Sequence, residues 1–158
     1  SVAILDDNVE IKKLCIDRFK NILLPNQMAT DGSFPLELKR TKPYGYSLFN
    51  IDAFFNLAQI LSTPEDNLFE YETNEGKSLK KGLEYIYPYI KDKTIWPFAK
   101  DIYIWNEWPV CHPFLIFGAL AYNNLNYIEA YLELPAYPIH SEVVRNLPVR
   151  HPIIWLLD

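Results

Sequence analysis

Apolar positions recur along this chain at helical spacing, and long polar stretches separate the runs. In DNVEIKKLCIDRFKNILL, residues 7–24, Ile11, Leu14, Cys15, Phe19, Ile22 and Leu23 follow the 3.6-residue period of an amphipathic helix. Asp7 or Asn8 can accept its first free amides, and Pro25 reads as its stop. The second run, residues 46–61, is apolar nearly all round: Leu48, Phe49, Ile51, Ala53, Phe54, Phe55, Leu57, Ala58, Ile60 and Leu61. Such a helix has to be covered on most of its sides. Residues 77–91 predict a third helix, interrupted or ended near Pro88, and residues 112–122 and 125–134 two shorter ones. Near the C-terminus, Ser141 opens a segment resembling a capping box. Only Ile102 to Trp105 offers a strand candidate, and a weak one. The pattern predicts a mostly helical unit over residues 1–158, an all-α fold in which apolar rods are joined by long polar loops.

The connection between the first two helices changes the picture. It runs for about twenty residues, a length uncommon in a compact domain unless the loop has work to do. Turn chemistry marks it at Asp31-Gly32, at Pro35 and at Pro43-Tyr44-Gly45. It also concentrates Glu37, Lys39, Arg40, Lys42, Tyr44 and Tyr46 just before the apolar helix. The whole chain carries a formal charge of −5, so this local basic patch stands against an acidic background. That balance argues against nucleic-acid binding, which wants a basic face. An anionic polymer could bind only at such a patch. With 15% aromatic residues, the chain also has rings to stack on sugars, although packing in the core explains most of them. No apolar run approaches the roughly 20 residues of a membrane span. Cys15 and Cys111 form no CxxC pair, and no metal-ligand spacing is present, so neither a metal nor a cofactor is expected. The start, SVAILDD, reads as a mature N-terminus or as an internal cut in a longer protein.

The ordered set Gln27-Met28, Asp31-Gly32-Ser33-Phe34-Pro35, Glu37-Leu38, Arg40-Thr41-Lys42, Tyr44-Gly45-Tyr46-Ser47, Phe49-Asn50 and Asp52-Ala53 resembles the alginate-lyase superfamily domain. Within it, the set is most similar to the Bacteroidetes-type enzymes of polysaccharide lyase family thirty-eight. The similarity is dense across residues 25–61 and looser toward the C-terminus, through WPF, EWPV and RNLPVRHPIIW. It implies the C-terminal portion of an (α/α) toroid, with the N-terminal remainder of the same domain as a partner. It implies a periplasmic or secreted enzyme of a glycan-degrading bacterium, acting on an acidic polysaccharide by β-elimination.

That chemistry needs a donor to damp the uronate carboxylate, because the C5 proton beside a carboxylate is a very weak acid. It also needs a base for C5 and an acid for the departing O4. A tyrosine serves for both when a neighbouring cation lowers a phenol pKa from about 10. By motif position the resemblance makes Arg40 the neutralising group and Tyr46 the base and acid, with Gln27, Lys42 and Tyr44 as substrate-binding candidates. Tyr44 is also the rival tyrosine, and Glu37 is placed to orient Arg40. The family's Asn-His pair has no counterpart here: His112, His140 and His151 follow Cys111, Ile139 and Arg150. His112 and His151 each precede a proline, which points to structural roles. The pair is expected in an upstream segment, and these residues alone are expected to be inactive.

Plainer readings stand beside these. Arg40 could simply pair with Glu37, and Tyr46 could be a core residue at a helix start. Two other functions remain open. An inverting glycoside hydrolase needs two carboxylates across a cleft, and Glu37, Asp101 and Glu107 are its nominees. A non-catalytic glycan-binding domain would use the segment from Trp96 to Trp108 as a sugar platform.

Overall fold

Asn8 starts the first helix as its side chain suggests, Oδ1 accepting the amide of Ile11 at 3.1 Å. The computed structural model describes residues 8–156, so the alternative cap, Asp7, lies outside the described residues. Helix α1 (Val9–Arg18) passes into a π turn (Phe19–Leu23) and then into α2 (Leu24–Gln27). Pro25 therefore does not stop the helix. The amide of Leu24 bonds five residues back to Phe19, and this wider register falls just where Pro25 lacks a donor. Met28, in extended conformation, ends the run.

After the short α3 (Pro35–Leu38), the long α4 (Pro43–Leu61) begins three residues earlier than the apolar run predicts. Pro43 sits at the first helical position, where its missing N–H costs nothing. Helix α5 (Leu79–Lys91) is capped by Ser78 and runs on through Pro88. The carbonyl that Pro88 leaves free belongs to Glu84, an exposed residue, so water can satisfy it. Helices α6 (Pro113–Ala121) and α7 (Leu125–Glu133) form a hairpin joined by three residues, with Asn123 in the left-handed region at φ 49°. In α8 (Ser141–Arg145) the cap is not Ser141 but His140, whose Nδ1 accepts the amide of Glu142 at 3.2 Å. The proposed strand does not form. Ile104 takes φ 58°, turning the chain into a 3₁₀ turn at Trp105–Glu107. Among the described residues the β-type pairing is an isolated bridge, Glu72 to Ser78.

The core gathers around α4 and α6. Every residue of α6 from Pro113 to Ala119 is buried. Leu79, Leu83, Ile86 and Ile90 of α5 point into the same core, at spacings of four, three and four residues. Helix α4 buries Leu48, Ile51, Phe54, Phe55, Ala58 and Leu61. Its Phe49 is exposed and Ala53, Leu57 and Ile60 are half-buried, so the all-apolar helix keeps one partly open stripe.

A buried polar pair links the two central helices. Asp52 of α4 places Oδ2 at 2.6 Å from Nδ1 of His112, and its Oδ1 accepts the amide of Phe114 in the first turn of α6. Both side chains are essentially inaccessible to solvent. Burial pushes the Asp52 carboxyl above its usual range, and the adjacent His112 pulls it back. The imidazole lies stacked between Trp108 and Phe114. The structural role expected for His112 is thus seen directly. Cys111 is also buried, its thiol donating to the carbonyls of Tyr131 and Leu134.

Removing one partner of a buried pair leaves the other uncompensated, at about 3–5 kcal/mol. His112→Ala also empties a slot between two rings. It is expected to lower the stability measured by urea titration by about that amount, and an unchanged midpoint would show that the pair holds nothing together.

Candidate active site

The loop that carries the basic patch is held at several points before it reaches α4. Asp31 Oδ1 accepts the amide of Ser33 at 2.9 Å, closing the turn expected at Asp31-Gly32. Gly32 takes φ +90°, and a Cβ there would lie 2.2 Å from the backbone carbonyl oxygen of Lys81. The turn therefore rests directly on the backbone of α5. Phe34 stacks on Phe54 of α4 at 5.9 Å between ring centroids. Further on, the carbonyl of Thr41 accepts the amide of Ile102 at 3.1 Å.

The decisive attachment comes from Asp101. Its Oδ1 accepts the amide of Tyr44 and its Oδ2 that of Gly45, both at 2.9 Å. These are free donors of the first turn of α4, which the preceding residue, Lys42, does not cap. Burial raises the Asp101 carboxyl, while the amides of Gly45 and Tyr44 and the charges of Lys42 and Lys93 lower it. Gly45 has no room for a side chain: a Cβ would lie 2.8 Å from Asp101 Oδ2 and 2.8 Å from Trp108 Nε1. The start of α4, and hence Tyr46 on its first turn, is fixed by a residue more than fifty positions away.

On this platform Arg40 and Tyr46 come together. The guanidinium carbon of Arg40 lies 3.8 Å from the centroid of the Tyr46 ring, within cation–π range. Glu37 Oε2 accepts from Arg40 Nη1 at 3.1 Å and so orients it, while 53% of the arginine side chain stays open to solvent. Lys42 stands 5.0 Å from the same ring and forms an ion pair with Glu142 of α8. Tyr46 is half-buried and lies on the partly open stripe of α4, followed by Phe49, Ala53, Leu57 and Ile60.

The remaining substrate-binding candidates are Tyr44 and Gln27. Tyr44 is wholly buried, its hydroxyl donating to the carbonyl of Tyr89 at 2.9 Å and its ring packed on Trp96 and Trp105. Burial holds its phenol far above the ordinary range. Tyr44 is thus a core residue, and the expectation that it touches a sugar is corrected. Gln27 ends α2, half-buried, and its amide makes no hydrogen bond among the described residues. Asp101, nominated as a hydrolase carboxylate, is a helix cap instead. It shares a shallow depression with Glu107, but each of its oxygens already holds a backbone amide. Glu142 and the capping role of Asp101 were not foreseen. The one local signal was the lysine standing where α4 needed a capping side chain. Among the described residues no three His, Cys, Asp or Glu side chains gather to hold a metal ion.

A family model described as alginate lyase matches residues 1–96. A crystal structure of an alginate lyase from Bacteroides ovatus shares the fold, with a TM-score of 0.73 and 24% sequence identity over 92% of this chain. The chain spans 38% of that structure's length. No curated protein matches the chain.

The attachment at the start of α4 is testable without substrate. Asp101→Ala leaves two amides uncapped and is expected to cost about 1–2 kcal/mol, read from chemical unfolding. Gly45→Ala drives a methyl into Asp101 and Trp108 and is expected to cost at least as much, about 1–3 kcal/mol. If Gly45→Ala proves neutral, the close approach described for this helix start is wrong.

Proposed function

The chain belongs to the alginate lyase family, and from that premise we propose that it carries the arginine–tyrosine half of a polysaccharide lyase site that cleaves uronic-acid polymers by β-elimination. The observation that carries this reading is the contact of Arg40 with the Tyr46 ring, 3.8 Å from guanidinium to centroid. In the proposed reaction, Arg40 donates to the substrate carboxylate and holds the negative charge that builds on it as C5 loses its proton. Tyr46, as phenolate, takes that proton. The electron pair of the C5–H bond becomes the C4–C5 double bond, the C4–O4 bond breaks, and the phenol returns the proton to O4. Arg40 and Lys42 both stand over this ring, at 3.8 and 5.0 Å from its centroid. Lys42, with Glu142 as its counter-ion, and Gln27 are the proposed contacts to substrate hydroxyl or carboxylate groups.

The partly open stripe of α4 that begins at Tyr46 supports a further part of the proposal. Additional helices N-terminal to Ser1 cover that face, complete an (α/α) toroid and bring the remaining carboxylate donors of the family. Residues 1–158 alone are then inactive. A periplasmic or secreted location suits a polymeric substrate; no described helix is long and apolar enough to cross a membrane. The competing hydrolase reading is weakened by the capping role of Asp101, which occupies the carboxylate it would need.

β-Elimination leaves an unsaturated, ultraviolet-absorbing sugar at the new non-reducing end, whereas hydrolysis leaves none. The full-length protein on alginate or glucuronan is expected to generate that absorbance. Tyr46→Phe is expected to lose about 10²–10⁴-fold in kcat while still binding polymer. New reducing ends without the chromophore would reject the lyase reading, and wild-type turnover by Tyr46→Phe would reject Tyr46 as the base.

A further inference from the structure

Beyond the Arg40–Tyr46 contact, a second feature sits behind the start of α4. Lys93, Thr94, Trp96, Phe98, Lys100 and Trp105 line a cavity of about 220 Å³. It adjoins the site through Tyr44, whose ring packs on Trp96 and Trp105 at 5.0 and 5.4 Å. The lining joins two features that sugar acids require. Phe98 is 41% exposed and Trp105 half-buried, giving apolar faces onto which the C–H face of a pyranose can stack. Two ammonium groups flank Trp105, Lys93 Nζ at 4.5 Å and Lys100 Nζ at 5.8 Å from the ring centroid.

Two nearby acids are engaged elsewhere. Asp92 accepts from the amide and hydroxyl of Thr94, and Asp101 from the amides of Tyr44 and Gly45. Lys93 donates to the carbonyls of Trp105 and Trp108 at 2.8 and 2.6 Å, which shapes the cavity wall and leaves one of its three protons. Lys100 is exposed. In a chain of net charge −5, this cavity thus combines Lys93 and Lys100 with partly bare aromatic rings.

We propose that this aromatic and lysine-lined cavity is a binding subsite for one anionic sugar ring of the polymer, separate from the sugar whose bond is broken. The proposal rests on the lyase reading for its choice of ligand. Phe98 and Trp105 sandwich or stack the ring, and Lys100, with the remaining proton of Lys93, meets its carboxylate. Tyr44 and Tyr46 lie two positions apart on α4, about 200° around the helix. Occupancy of the cavity behind Tyr44 therefore leaves the Tyr46 ring unobstructed.

The test is the dissociation constant of an alginate hexasaccharide for the full-length protein, followed by calorimetry and by tryptophan fluorescence, with cellohexaose as the neutral counterpart. Lys100→Gln and Phe98→Ala change exposed side chains and are each expected to weaken hexasaccharide binding about tenfold. Trp105→Ala, which also disturbs packing on Tyr44, is the confirming variant rather than the deciding one. Cellohexaose is expected to bind far more weakly than the acidic oligomer. Unchanged affinity in both Lys100→Gln and Phe98→Ala overturns the subsite, as does equal affinity for the neutral oligomer or failure of the parent protein to bind the hexasaccharide. Activity retained by Tyr46→Phe would instead overturn the chemistry assigned to the neighbouring site, and it leaves the affinity comparison standing as a separate result.

Discussion

Both central helices begin without a local cap, and the structure depends on how those free amides are satisfied. Helices α4 and α6 each open on a proline, and the preceding Lys42 and His112 make no capping bond. The missing acceptors are delivered by two buried carboxylates from distant positions: Asp101 to the first turn of α4, and Asp52 to that of α6. A buried carboxylate is tolerated only when its oxygens are met by donors. Here each carboxylate supplies what a helix lacks, and each helix supplies what a carboxylate requires. The two attachments are coupled through the segment from residue 101 to residue 112. It grips α4 at Gly45 through Asp101 and again at Asp52 through His112. Seven residues of helix, about 10 Å, separate those grips. Tyr46 lies immediately inside the first of them, so its placement follows from the clamp.

Much of the fold was legible because periodicity reports which faces are buried. The hairpin of α6 and α7 appeared within a residue of its observed bounds. Prolines were less informative than their usual meaning implies. Pro25 follows a π turn and stands in the first turn of α2, where a missing N–H is tolerated, and Pro88 frees a carbonyl on a wet face. Pro43, read as part of a turn, is the first residue of α4. That last difference has a direct chemical consequence. With the helix expected to start at Tyr46, Tyr44 remained in a loop and free to face a sugar. Starting at Pro43, the helix sends the two tyrosines to opposite sides, and one of them must enter the core. Tyr44 is that residue, buried against Trp96 and Trp105.

What sequence could not give was the set of long-range partners. The proximity of Arg40 to Glu37 follows from three-residue spacing. Nothing local joins Lys42 to Glu142, or Asp101 to Gly45. A carboxylate that caps a helix and one that works in catalysis look alike in sequence, and only their donors tell them apart. Asp101 was a reasonable nominee for a hydrolase until two amides were found on it.

The position of Arg40 on the face of the Tyr46 ring, rather than at its hydroxyl, matters for the proposed elimination. A guanidinium bonded to the phenolic oxygen would occupy the atom that must reach the C5 proton and then O4. Stacked on the ring, it leaves that oxygen free while keeping its charge close to the aromatic system. It also keeps its own donors: of the five N–H groups of an arginine, the Glu37 contact engages Nη1, and more than half of the side chain faces solvent. The remaining donors can therefore turn toward a carboxylate arriving from solution. Glu37 limits the swing of the guanidinium, and Lys42, paired with Glu142, stands beside the same ring. Under the proposed elimination, this geometry would separate two tasks that a single cation at the hydroxyl would bring into conflict, damping the substrate's charge and leaving the base accessible.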